Sequence, residues 1–149
     1  MSLDVDVAAD GVRVPLARER VAAVARGVLR AEGVRDARLS IAFVSSRVIA
    51  SMNRQHLGHE GATDVLSFPL PSRAVGEPLA GDVYIAPDVA RANAREHAVP
   101  VREELARLVV HGTLHVLGHD HPETQRRTVS PMWRRQELLL ARLAREWKS

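Results

Sequence analysis

Cysteine is absent from this 149-residue chain, which removes disulfides and thiolate ligands from consideration. Aromatic residues make up only 3% of it, too few for the stacking platforms on which many RNA-binding modules splay single-stranded bases. No apolar run approaches the ~20 residues needed to span a bilayer. The opening Met1-Ser2-Leu3-Asp4 lacks the basic-then-apolar order of a secretory signal, so the expected location is the cytoplasm. Repeats, low-complexity runs and linker-like stretches are missing as well. With 46% hydrophobic residues, the chain is expected to fold as one domain, residues 1–149, around one core.

Lysine is nearly missing: Lys148 is the only one among 21 basic residues. The net charge of +3 is unevenly spread. Residues 122–149 carry Arg126, Arg127, Arg134, Arg135, Arg142, Arg145 and Lys148 against Glu123, Glu137 and Glu146, a net of +4. The rest is close to neutral. A basic C-terminal segment can attract a nucleic acid backbone. An arginine-rich solvated helix face accounts for the same residues.

What the chain does hold is histidine in a metal-binding rhythm. His111-Gly112-Thr113-Leu114-His115-Val116-Leu117-Gly118-His119-Asp120-His121 follows a stretch with Leu105, Leu108 and Val109 at helical spacing. His111 and His115 are four apart, so a helix stacks them one turn above the other and lets them grip one ion. His119 continues the stripe, but it lies roughly 12 Å along the axis from His111. That is too far to share an ion whose bonds to nitrogen are about 2.1 Å. Gly118 supplies a helix stop and Pro122 prevents resumption, so His121 can fold back toward the pair. Three neutral histidines leave a fourth position for water, the arrangement of a catalytic rather than a structural zinc site. The water bound there is expected to have its pKa drawn toward about 7. Proteases built on H-E-x-x-H place a glutamate base after the first histidine, where this chain has Gly112. Phosphodiester cleavage depends less on such a carboxylate, since a metal can hold a phosphoryl oxygen and activate the nucleophile.

The histidine segment resembles the H-G-x-L-H-x-x-G-x-D-H signature of the YbeY family, bacterial endoribonucleases of ribosomal RNA maturation and ribosome quality control. Thr63-Asp64-Val65-Leu66-Ser67-Phe68-Pro69 is similar to that family's T-(D/N)-V-L-S-F-P strand, and Gly81-Asp82-Val83 to its G-D-I strand opening. The resemblance implies a single-strand-specific, metal-dependent endoribonuclease acting in 16S ribosomal RNA maturation. One zinc ion would be held by His111, His115 and His121. The implied partners are ribosomal RNA and the small ribosomal subunit, with a ribosomal protein or a GTPase assembly factor as protein partner and no membrane. Two other readings stay open: a non-catalytic ribosome-assembly factor, and a metal-dependent hydrolase of another substrate.

The chain also departs from the family pattern. Where the family has an arginine before the T-(D/N)-V-L-S-F-P strand, this chain has Leu57, and Ala62 replaces a proline. Arg54, His56 and His59 are candidate replacements for the positive charge, or solvated loop residues. The family's usual tyrosine in the histidine motif is His119 here, a candidate proton donor or a surface histidine. Beyond the metal-bound water no catalytic group is assigned. Asp64 and Asp120 are candidates to orient the ligand histidines, with helix capping as the other role for Asp120. Ser67 is expected either to face substrate or to be a polar residue on the outer strand face.

The coarse pattern is α+β: a small mixed β-sheet of about four strands with packed helices, and the resemblance adds a zincin-like metal helix against the sheet. Strands are expected at Leu3–Val7, Arg38–Val44, Val65–Leu70 and Asp82–Ile85. Helices are expected from Pro15 to Gly33, from a Ser45 or Ser46 cap to Leu57, from Pro87, from Pro100, and over Pro131–Trp147. Pro69 cannot donate to a ladder, which suits an edge strand. Leu138, Leu139 and Leu143, with Met132 and Trp133, are the expected core contacts of the last helix.

Overall fold

The computed structural model describes residues 1–71, 75–120 and 130–148, so His121 lies outside the described residues. Among the described residues four strands form one sheet: β1 (Leu3–Ala9), β2 (Ala37–Phe43), β3 (Val65–Leu70) and β4 (Leu79–Ile85), in the order β1-β2-β4-β3. The β1–β2 and β2–β4 pairs are parallel, and β3 runs antiparallel to β4. The sheet is therefore mixed, and β3 is an edge strand. Pro69 sits on that edge as its missing N–H requires.

Alternation divides the sheet into two apolar faces. Leu39, Ile41 and Phe43 are buried while Arg38 and Ser40 between them are exposed. Val83 and Ile85 join the first three on the face covered by α1 (Arg18–Ala31) and α4 (Val101–Val116). Val21, Val24, Val28 and Leu29 supply the buried stripe of α1. The opposite face, with Leu66, Phe68 and Tyr84, packs against Ile49 and Met52 of α2 (Ser46–Leu57). Ser45 caps α2 by accepting a hydrogen bond from the Val48 N–H, and Gly58 ends it in the left-handed conformation. Helix α3 (Pro87–Glu96) starts on Pro87, whose missing N–H costs nothing in a first turn.

Helix α4 is buried on nearly every side, packed among α1, α3, β3 and β4 and against the C-terminal α5 (Pro131–Arg142) and α6 (Ala144–Lys148). Two glycines set how close it comes to the sheet. A Cβ on Gly112 would lie 2.6 Å from a Val83 methyl, and one on Gly81 would lie 2.4 Å from a Val116 methyl. Beyond Val116, Gly118 turns left-handed at φ 97°. The Gly118 N–H then donates to the His115 carbonyl and the His119 N–H to the Leu114 carbonyl, satisfying two groups that the helix end leaves open.

Three expectations are corrected. Pro15 does not start α1, which begins at Arg18 with Ala17 as an extended cap. The segment before it runs instead as a strap, with Leu16 buried and the Arg13 and Pro15 carbonyls accepting hydrogen bonds from Arg91 and Arg102. Strand β4 starts earlier than expected, at Leu79, because Gly81 belongs to the ladder opposite Leu39 and Pro69. The last helix is two. The chain breaks at Leu143, whose side chain fills the space a Cβ on Gly27 would occupy. The break lets Trp147 reach the core and donate its indole N–H to the Leu140 carbonyl. Leu138 is accordingly exposed, and the buried stripe of α5 is Met132, Gln136, Leu139 and Leu140.

Candidate metal centre

Two histidines of one helix open the site. His111 is buried and His115 half-buried on consecutive turns of α4, with ring centroids 4.6 Å apart and planes 67° to one another. The His111 Nδ1 lies 2.6 Å from the Gln136 Oε1 of α5. Gln136 cannot be turned over without loss, because its Nε2 donates to the Glu137 carboxylate. The amide oxygen therefore faces the ring, and His111 must donate from Nδ1. Its lone pair is left on Nε2, the tautomer a metal ligand needs.

The anchoring continues outward. Glu137 accepts from Arg107, and Arg107 also donates to Glu103 and Glu104, with every one of these bonds between 3.0 and 3.1 Å. Burial works against the Arg107 charge, but Glu137 first and then Glu103 and Glu104 outweigh it and hold the guanidinium protonated. The chain of contacts from Arg107 through Glu137 and Gln136 to His111 thus fixes one imidazole by bonds that reach the surface of the helix pair.

The sheet side of the site is built by β3. Ser67 points toward α4, on the same face as its ladder partner Val83, and donates to the Gly112 carbonyl at 3.2 Å. It is thus neither on the outer face nor free of partners. The close approach also bears on Gly112: any larger residue there would bring its Cβ to 2.6 Å from a Val83 methyl and 3.2 Å from the Ser67 Oγ. Packing of α4 on β4 thus disfavours the protease glutamate at this position.

A cleft of about 390 Å³ runs along this edge, lined by His111, His115, Ser67, Asp64, Thr63 and Leu57 among others. Leu57, at the position of the family's arginine, is 50% exposed and sits on the cleft wall itself. Arg54, His56 and His59 are exposed and are not among the cleft's lining residues; His56 lies edge-on against Phe68 instead. Asp64 lines the cleft but takes its hydrogen bond from the Asn93 amide, not from a described histidine. Asp120 is exposed. His119 pairs with Glu32 at the end of α1, where Arg135 also binds. Burial raises the Glu32 carboxyl, but Arg135 and then His119 more than offset it and hold it below the ordinary carboxylate range.

Among the described residues no three His, Asp, Glu or Cys side chains come close enough to hold a metal. The candidate third ligand, His121, is outside them. The two described donors nevertheless suit a transition metal: imidazoles on adjacent turns, one oriented by a buried amide. Gln136 was not among the residues singled out from the sequence. Its signal is a polar residue on the apolar stripe of α5, at the i+4 position from Met132.

Comparison with known proteins decides the family. The model of the family described as Endoribonuclease YbeY matches residues 8–144. The chain belongs to the YbeY family. A YbeY relative described as Endoribonuclease YbeY, from Pelotomaculum thermopropionicum, is 41% identical over 128 residues, covering 80% of this chain and 81% of the relative. Another of the same description, from Anaeromyxobacter sp. (strain Fw109-5), is 45% identical over 105 residues, or 70% of this chain, and the match spans 55% of the relative's length. The solution structure of TM1509 from Thermotoga maritima superimposes with a TM-score of 0.65 at 26% identity, covering 97% of this chain and 91% of that one. The arrangement of sheet and helices described above is thus shared with that structure.

Proposed function

We propose that this YbeY chain is a zinc-dependent endoribonuclease that cuts single-stranded RNA during maturation of 16S ribosomal RNA, in the cytoplasm and on the small ribosomal subunit. The observation that carries the reading is the His111 ring, locked by Gln136 with its Nε2 lone pair beside His115 in an open cleft. The relatives described as Endoribonuclease YbeY support the endoribonuclease part of it.

His111 and His115 would hold the ion, with His121 as third ligand. Zinc bound there would supply Lewis acidity for a phosphodiester and lower the pKa of water. Gln136 keeps His111 in its ligand tautomer, and Ser67 holds α4 at its distance from the edge strand. The cleft lies open along β3, which suits an extended strand better than a small enclosed substrate. Leu57 gives that wall no charge for phosphate, and among the described residues lining the cleft there is no arginine or lysine, so the ion would supply positive charge at the cut.

The test is cleavage of a single-stranded RNA by purified protein. Cutting should fall at least about 100-fold in His115→Ala and on chelation, and return to the wild type when zinc is restored. RNA binding without cutting would favour the assembly-factor reading, and hydrolysis of peptides but not RNA the third.

A further inference from the structure

His111 and Asp64 line a second cavity as well as the cleft. It measures about 370 Å³ and lies between α3, α4 and α5. Val99, Leu108 and the half-buried Trp133 give it apolar walls, and Asn93 and Asp64 put a carboxamide and a carboxylate on the side nearest the cleft. The nucleolytic mechanism uses none of Trp133, Asn93, Val99 or Leu108.

Charge limits what the cavity can take. Arg107 and Glu104 are on its wall beside His97, and Glu103 and Glu137 bind Arg107 from outside the cavity. The arginine's single positive charge is thus outweighed to a net of −2 within that group, and Asp64 adds another negative charge on the wall. A phosphate would be repelled. A flat neutral ring with hydrogen-bond donors would not: it could lie against the Trp133 indole and offer its donors to the carboxylate. The Asn93 amide donates to Asp64 at 3.2 Å, which holds that carboxylate in place while its remaining lone pairs can accept.

We propose that this cavity is a nucleobase subsite that selects guanine in the RNA strand threading the adjacent cleft. The proposal rests on the RNA reading above. Guanine is the base whose pairing edge has two adjacent donors, its ring N–H and its exocyclic amino group, and one carboxylate can accept both. Adenine and cytosine each turn a ring nitrogen lone pair toward the carboxylate, and uracil offers one donor between two acceptors. Because Asp64 and His111 border both spaces, a base seated in the cavity belongs to a nucleotide next to the one at the metal centre.

The test separates base binding from cleavage by using free nucleosides, which carry no phosphate. Guanosine is titrated into the zinc-loaded protein and tryptophan fluorescence is followed, with adenosine, cytidine and uridine as comparisons. Trp133 is the responsive fluorophore, since the only other tryptophan, Trp147, is buried with its indole N–H bonded to Leu140. Guanosine should quench saturably and bind about tenfold more tightly than the other three. Trp133→Leu should abolish the quench. Asp64→Asn, which replaces an acceptor with a donor, should erase the preference for guanosine, and in RNA cleavage should erase any dependence on a guanosine flanking the cut. Equal binding of all four nucleosides, no saturable quench, or a guanosine preference that survives Asp64→Asn would overturn the proposal. A protein that cuts RNA but ignores guanosine sinks the subsite alone. One that binds guanosine selectively but never cuts RNA sinks the nuclease reading and leaves the subsite standing.

Discussion

Gln136 does more for the proposed metal centre than its distance from the histidine motif suggests. It is 1% exposed, accepts from His111 and donates to Glu137, so both halves of its amide are spoken for. Leucine at this position would fill similar volume but leave Nδ1 without its acceptor, freeing the ring to change tautomer. Gln136→Leu should therefore weaken zinc binding roughly 10- to 100-fold while helix content is retained, measured by competition with a chromophoric chelator. Unchanged affinity would show that the ring is held by other means. Gly112 makes the complementary point about packing. An alanine there gains about 1 kcal/mol of helix propensity but forces a methyl to within 2.6 Å of a branched, buried valine. Overpacking of this kind costs about 1–3 kcal/mol, so Gly112→Ala should lower stability by about 2 kcal/mol at most, read as a lower denaturation midpoint. A higher midpoint would mean that α4 can shift on the sheet at little cost.

At the level of elements, the joint between α1, the turn after α4, and α5 depends on Glu32. Its carboxylate binds His119 and Arg135 together, and its pKa is lowered in the folded state. A depressed carboxyl contributes stability above its unfolded pKa and loses it as pH falls through the folded value. The Tm difference between wild type and Glu32→Gln should thus be greatest near neutrality and close up below the ordinary carboxylate range. A difference that stays constant with pH would place the effect in packing rather than charge. Elements that declare themselves locally were readable from sequence. The alternation of β2, the Ser45 cap of α2, Pro69 on an edge and the Gly118 stop of α4 each depend on a few adjacent residues. Elements set by distant contacts were not. The break at Leu143 exists because Gly27, over a hundred residues earlier, leaves a notch for that side chain. Pro15 failed to open α1 because Arg91 and Arg102 hold the preceding strap by its carbonyls. The histidine pair was legible for the same reason as the cap. Its support through Gln136 was not, because it joins two helices.

Across the whole molecule, charge is spent unevenly. Arg107 and Arg135, which a count of basic residues would assign to RNA, are tied to carboxylates inside the helix layer. Arg134, Arg142 and Lys148 remain exposed on the C-terminal helices. The cleft and the cavity, both bordered by His111 and Asp64, would divide the work that an RNA strand demands: one opens to the edge of the sheet and the histidine pair, the other is walled by carboxylates and an indole. Both depend on α4 being pinned between sheet and α5. The most direct measurement is calorimetric titration of zinc into chelator-stripped protein. The account predicts one zinc per chain, bound at least about 100-fold more weakly by His115→Ala. Failure of the wild type to take up zinc, or equal affinity in the variant, would contradict it.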